Sequence, residues 1–389
     1  MSPLKQAARL LLDQVQLPAT ARVERRKDSA GLPSYDPGAE AVIEAGVSWL
    51  ARAQDRSSSH DGGVARHFSL LDGWSTSYPE TTGYIIPTLL AYGHANGKAE
   101  PVERALRMAD WLVAIQFAEG GFQGGMIGQT PRVPVTFNTG QILIGLAAAA
   151  HADARFLEPM RRAADWLVQT QDADGCWRKH PTPFAAPGEK TYETHVALGL
   201  FEAAKLEPDR GYLEAGLRQV DWALANQQTN GWFAKCCLDF PERPLTHTLG
   251  YALRGIIAAH DASGQARYLS AARLAADGLL EAIDEQGRLP GRLDSSWRPA
   301  ADFVCLTGSS QLAECWLLLF KVTKSVAYRM AAQQANGFVR KTIAIDGPGD
   351  VRGGVKGSFP VDGEYGRWQY LNWACKFMID ANQAEIDCT

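Results

Sequence analysis

The chain has 389 residues, 46% of them hydrophobic and 21% charged, with a formal net charge of −4 and a sequence pI near 6.1. That composition suits a globular protein with a large core. Without a long Lys/Arg run, it argues against a nucleic-acid partner or a polybasic membrane surface. No stretch of 18 uncharged apolar residues occurs, so no membrane span is expected.

In chain order, Met1 to Thr20 mixes Lys5, Arg9 and Asp13 with the run Leu10-Leu11-Leu12. The run is too short for a signal-peptide core, and no small-residue cleavage site follows it. We divide the chain into an N-terminal helix and linker, residues 1–40, and a single repeat domain, residues 41–389. The seven cysteines, Cys176, Cys236, Cys237, Cys305, Cys315, Cys375 and Cys388, are odd in number and scattered. A disulfide framework is not expected in so large a chain, so they read as reduced thiols and the expected location is cytoplasmic.

A repeat governs the rest. Trp49-Leu-Ala-Arg-Ala-Gln54 recurs at Trp111–Gln116, Trp166–Gln171 and Trp222–Gln227, and Asp110, Asp165 and Asp221 precede the later three tryptophans. A decayed copy begins at Asp277, and a sixth is expected from Ala332 to Phe338. The early copies run into glycine turns at Gly62, Gly120, Gly175 and Gly231, where glycine supplies positive φ. A second helix, apolar all round and therefore buried, follows each copy: Gly83–Tyr92, Gly140–His151, His195–Lys205, Leu249–Ala259, Ser309–Phe320 and Tyr370–Asp380. The tryptophan helices instead carry charge (Glu103, Arg104 and Arg107; Arg161 and Arg162; Arg218), which predicts an outer ring. Inner-to-outer connections are short and outer-to-inner ones long. All the long loops, with the inner-helix N-termini, therefore emerge on one face.

The segment Gln171-Asp-Ala-Asp-Gly175-Cys-Trp177 resembles the glutamine–tryptophan repeat of the terpenoid cyclase and protein prenyltransferase toroids. The resemblance covers about Ala41 to Asn382 and implies an all-α fold, an (α/α)6 toroid of about six helical hairpins. The same toroid is shared by uronyl hydrolases, polysaccharide lyases, sugar 2-epimerases and glucuronyl epimerases, so it specifies the fold far better than the chemistry. Squalene-type cyclases need an Asp-x-Asp-Asp cluster, which is missing here. The prenyltransferase zinc site needs Asp-x-Cys and a later His. Asp302-Phe-Val-Cys305 has the wrong spacing, and all eight histidines lie at or before His260. Cys236-Cys237 with His247 is a weaker candidate than a pair of buried thiols. No metal and no cofactor are expected.

What precedes the inner helices differs from repeat to repeat: Tyr78, Glu80, Asn138, Tyr192, Glu193, His195 and His247. The neighbouring threonines read as N-caps. A lone His can be a hydrogen-bonded structural residue, and a Glu can simply favour a helix N-terminus. Convergence on one mouth favours a site instead. The expected catalytic groups are His195, His247, Glu193, Glu80 and Tyr192. The expected substrate-binding groups are Tyr78, Asn138, Trp74, His67, Trp297, Asp302 and Tyr365. Trp177 and Trp232 read as plugs between outer helices, whereas Trp74 and Trp297 fit no repeat position. Gly-rich Asp346–Gly366, ending beside Tyr365, has the composition of a flexible lid. Aromatic rings with Arg and carboxylates suit an acidic oligo- or polysaccharide, worked on by proton transfer at a sugar carbon (lyase or epimerase) or by hydrolysis. A terpenoid- or prenyl-binding toroid and a non-catalytic toroid in a polysaccharide assembly system are the alternatives.

Overall fold

A computed structural model describes residues 17–388. The N-terminal reading above lies, through residue 16, outside the described residues. Helix α1 spans Ala19–Ser29. Six hairpins follow, each an outer helix and then an inner one. They are α2 (Ala39–Asp55) with α3 (Pro79–Ala95), α4 (Ala99–Ile115) with α5 (Thr136–Ala152), and α6 (Leu157–Thr170) with α7 (Thr194–Leu206). Then come α8 (Tyr212–Leu224) with α9 (Thr246–Ser263), α10 (Ala266–Leu280) with α11 (Leu306–Thr323), and α12 (Val326–Lys341) with α13 (Asn372–Ile386). Inner helices pack in succession, and α13 returns to α2 and α3, which closes the ring. The only strands among the described residues are short pieces in the long loops: β1 (His67–Ser69), β2 (Gly73–Trp74), β3 (Val304–Cys305), β4 (Ser358–Phe359) and β5 (Gln369–Leu371). They order as β2-β1-β5 and β3-β4. No helix among these residues is long and apolar enough to cross a membrane.

The repeat motif is a set of hydrogen bonds between neighbouring hairpins. Gln54, Gln116, Gln171 and Gln227 each donate through Nε2 to the glycine carbonyl of their own turn, at 2.8–3.2 Å. Each donates also to a carbonyl of the next outer helix, at 2.9–3.4 Å. The glycines hold φ near +90°. Gly120, Gly175, Gly231, Gly287 and Gly353 lie so close to the next outer helix that a Cβ would strike its backbone. The aspartates at this repeat position accept from the next outer helix: Asp165 from Tyr212 at 2.7 Å, Asp221 from Tyr268 at 2.9 Å and, in the decayed copy, Asp277 from Tyr328 at 2.6 Å. These side chains satisfy backbone and hydroxyl groups that would otherwise be buried without partners.

Inner helices approach at glycines. A Cβ on Gly83 would lie 2.5 Å from Ile142 Cα, and one on Gly140 would lie 2.6 Å from Val196 Cγ1. The threonines there are not N-caps as expected; no side-chain cap bond forms. The helices begin earlier than predicted, so Thr82 and Thr139 fall inside the first turn. Each donates to the carbonyl four residues back (Tyr78, Val135) and accepts a loop N–H (Val64, Phe122).

Two further expectations are corrected. Asp346–Gly366 is not a loose flap. Its buried Lys356 bonds Asp28 (2.5 Å) and Glu24 (3.0 Å) of α1, Val361 N–H donates to Asp28, and β4 pairs with β3. Trp297, read as free of the repeat, is a repeat plug. Its indole stacks edge-on against Trp232 at 5.1 Å and donates to Asn230 O, with Gly278 beneath the ring.

Candidate active site

The long loops and first turns of the inner helices enclose a cavity of about 440 Å³. Glu80 stands in the first turn of α3, behind Pro79, and is 8% exposed. Its Oε2 accepts from Tyr78 Oη at 2.5 Å and from Asn138 Nδ2 at 2.8 Å, so two successive repeats hold one carboxyl. Burial raises its pKa to about 7, against the opposing pull of the Tyr78 hydrogen bond and the Arg66 charge.

His247, in the first turn of α9 and 6% exposed, lines the same cavity. Its Nδ1 faces Gln311 Oε1 at 2.7 Å. An amide oxygen only accepts, so Nδ1 carries the proton and Nε2 keeps its lone pair. Burial lowers the imidazole to about pKa 4, with Gln311 opposing. The rings of Tyr251 and Tyr365 flank it at 4.5 and 5.4 Å. Burial thus drives the two titrating groups in opposite senses. Between pH 4 and 7 the carboxyl holds a proton and the imidazole is a free base.

The rim carries Arg66, whose guanidinium lies over the Trp373 ring at 4.8 Å and donates to Gln369 Oε1 at 3.1 Å. His67 stands beside it on β1, with its pKa lowered to about 4 by burial and by the Arg66 charge. Tyr365 accepts from Trp373 Nε1 at 2.9 Å. The floor is Tyr84 and Tyr251, whose hydroxyls meet at 3.4 Å.

Of the residues expected from sequence, Glu80, His247, Tyr78, Asn138, Tyr192, His67 and Tyr365 line this cavity. Five do not. His195 lies beyond the floor, against Tyr251 at 4.5 Å and bonded to Gln141, and it lines a separate cavity of about 290 Å³. Glu193 lines an adjoining recess. Trp74 packs on Trp49 and Phe68 and bonds Asp350. Trp297 is the plug described above. Asp302 is exposed, and only its carbonyl is engaged, by Arg288. No group of three or more His, Cys, Asp or Glu among the described residues is arranged to hold a metal ion. Cys236 is buried, and its thiol donates to Thr248 O.

No protein-family model and no curated protein matches the sequence. Solved structures do. An unsaturated glucuronyl hydrolase specific for heparin superposes with a TM-score of 0.71 at 14% identity, over 90% of this chain and 97% of that one. A D-mannose isomerase gives 0.70 at 14%, over 92% and 100%. The cellobiose 2-epimerase of Bacillus thermoamylovorans gives 0.67 at 11%, over 86% and 95%. The chain is an (α/α)6 toroid. At such identities the likeness is one of fold.

Within the toroid, sequence reading missed Tyr84, Tyr251, Gln311 and Trp373. A signal existed for two of them. Tyr84 and Tyr251 follow Glu80 and His247 by four residues, one helical turn further down the same inward face.

Proposed function

We propose that this toroid is a carbohydrate-active enzyme that binds an acidic saccharide and moves a proton with Glu80 and His247. The observation that carries this is the pairing, in one cavity, of a carboxyl raised to about 7 with an imidazole lowered to about 4. Such a pair supplies an acid and a base together near neutral pH. Arg66, on the rim, is the group suited to a sugar carboxylate. Tyr365 and Trp373 offer ring faces to a pyranose. Proton transfer at a carbon next to the carboxylate, as in a lyase or epimerase, suits a neutral imidazole base. Hydrolysis, with Glu80 protonating the glycosidic oxygen, is the neighbouring option. A terpenoid or prenyl ligand fits less well, since Arg66, Glu80 and two histidines face the space. The free state of the seven cysteines supports a reducing compartment such as the cytoplasm.

The test is a panel of glucuronate- and galacturonate-containing oligosaccharides in deuterated water, read by NMR. Deuterium gained at a ring carbon, or a new double bond, supports proton transfer at carbon. A new reducing end without exchange supports hydrolysis. Binding of neutral saccharides or isoprenoids alone, with no uronide turned over, would overturn the reading.

A further inference from the structure

Beside the main cavity lies a recess of about 330 Å³, within the range of small-molecule sites. Phe137, Thr182 and Tyr192 line both spaces, so the two adjoin along one wall. The recess is closed on the loop side by residues 181–190 and on the helix side by the short turn Thr191–Glu193 that precedes α7.

Glu193 is 7% exposed, and its Oε2 has no hydrogen-bond partner. Lys190, 6% exposed, also lines the recess and acts on Glu193 only through space. Arg178 is already engaged by Asp172, Asp174 and Glu189. A buried carboxyl without a partner is costly and rare. Among the described residues, Glu193 is the one carboxyl with a buried oxygen left without a hydrogen-bond partner. The unmatched capacity of Glu193 is therefore turned to a ligand.

We propose that this recess is a second saccharide subsite, in which Glu193 and Lys190 bind hydroxyls of the unit next to the one held between Arg66, Glu80 and His247. This rests on the saccharide reading of the main cavity and makes the substrate an oligosaccharide of at least two units. Phe137, Tyr192 and Trp177 supply the apolar walls that a pyranose ring needs. Burial raises Glu193 to about 8, against the pull of Lys190, so near neutral pH it carries its proton. A protonated carboxyl both donates and accepts, which matches a sugar hydroxyl and offers no anion to a metal ion or an ammonium group.

The experiment compares glucuronic and galacturonic acid, as monomers and as dimers, by calorimetry on the full chain. The dimers should bind about tenfold more tightly than the monomers. Glu193→Ala should bring the dimers to within about threefold of the monomers and leave monomer binding unchanged. Glu193→Gln should keep part of the gain. Both variants should melt no lower than the parent, because a buried, unpartnered carboxyl is being removed. Equal binding of monomer and dimer by the parent overturns the subsite while leaving the main site standing. So does an equal loss for monomer and dimer in Glu193→Ala. If no uronide binds in either form, the saccharide reading falls and the subsite with it.

Discussion

At the scale of single residues, the site is set by what burial does to acids and bases. The proton sits on Glu80 up to about pH 7 and leaves His247 above about pH 4. With the carboxyl as acid and the imidazole as base, kcat/KM for a uronide should be highest between those values and fall on both sides. Glu80→Gln should abolish turnover. Stability follows the same titration. The folded chain keeps a proton on Glu80 from pH 4.5 to about 7 that the unfolded chain has released. The Glu80 contribution to stability therefore decreases as pH rises through that window, by on the order of 1.4 kcal/mol per pH unit, and levels off above it. Glu193, raised to about 8, adds a like decrease, and the lowered His67 and His247 oppose both at the acid end. Glu80→Gln should remove that one contribution, making the slope less negative by about 1.4 kcal/mol per pH unit, and leave those of Glu193 and the histidines. Urea titrations from pH 4.5 to 8 check this, and an unchanged slope would mean that the carboxyl ionises normally. The sequence pointed to Glu80 and His247, which line one cavity, because each stands at the start of an apolar helix. It misplaced His195 for a geometrical reason. His195 sits one residue into α7 beyond the turn that carries Glu193, and that small advance carries it past the Tyr251 ring to the other side of the floor.

At the scale of elements, the outer-helix repeat was the most legible feature of the chain. The spacing of Trp, Gln and Gly encodes contacts made to the next hairpin, and a contact repeated several times leaves a repeated sequence. Gln171 bonds the Gly175 and Ala215 carbonyls, both at 2.9 Å. Gln171→Ala should cost about 1–3 kcal/mol by stranding buried acceptors. Its pH profile of activity should not move, since the side chain lies on the outer ring. Thermal melts and a pH–rate comparison test both halves. A shifted profile would tie the outer ring to the site. The long loops were far less legible. Their bonds are made once each, as in Arg292, which ties Asp239 and Glu364 of two other loops at 3.1 Å. Nothing periodic marks such a residue. For the same reason Asp346–Gly366 read as a loose segment: its glycines serve close approaches, such as Gly353 against Ala45 and Gly357 against Gly366.

At the scale of the whole molecule, the ring has one seam, where the last long loop and α13 meet α2. Gly353 adopts φ +81° with the Ala45 carbonyl against it, so a side chain there would be strained twice over. Gly353→Ala should destabilise the chain by about 3 kcal/mol or more. Gly349→Ala, four residues away with open space around it, should be nearly neutral. The difference in melting temperature between these two variants reads the strength of the seam. Equal melting temperatures would mean that closure adds little.

The seam also sets an order of events during synthesis. Trp49 leaves the ribosome within the first hairpin, yet the carbonyl that receives its indole N–H belongs to Asp350, and the thiol that packs on Gly46 belongs to Cys375. Most of the chain must be made before those partners exist. Until then the earliest helix of the ring presents a bare apolar flank. The hairpin that is translated first is completed last.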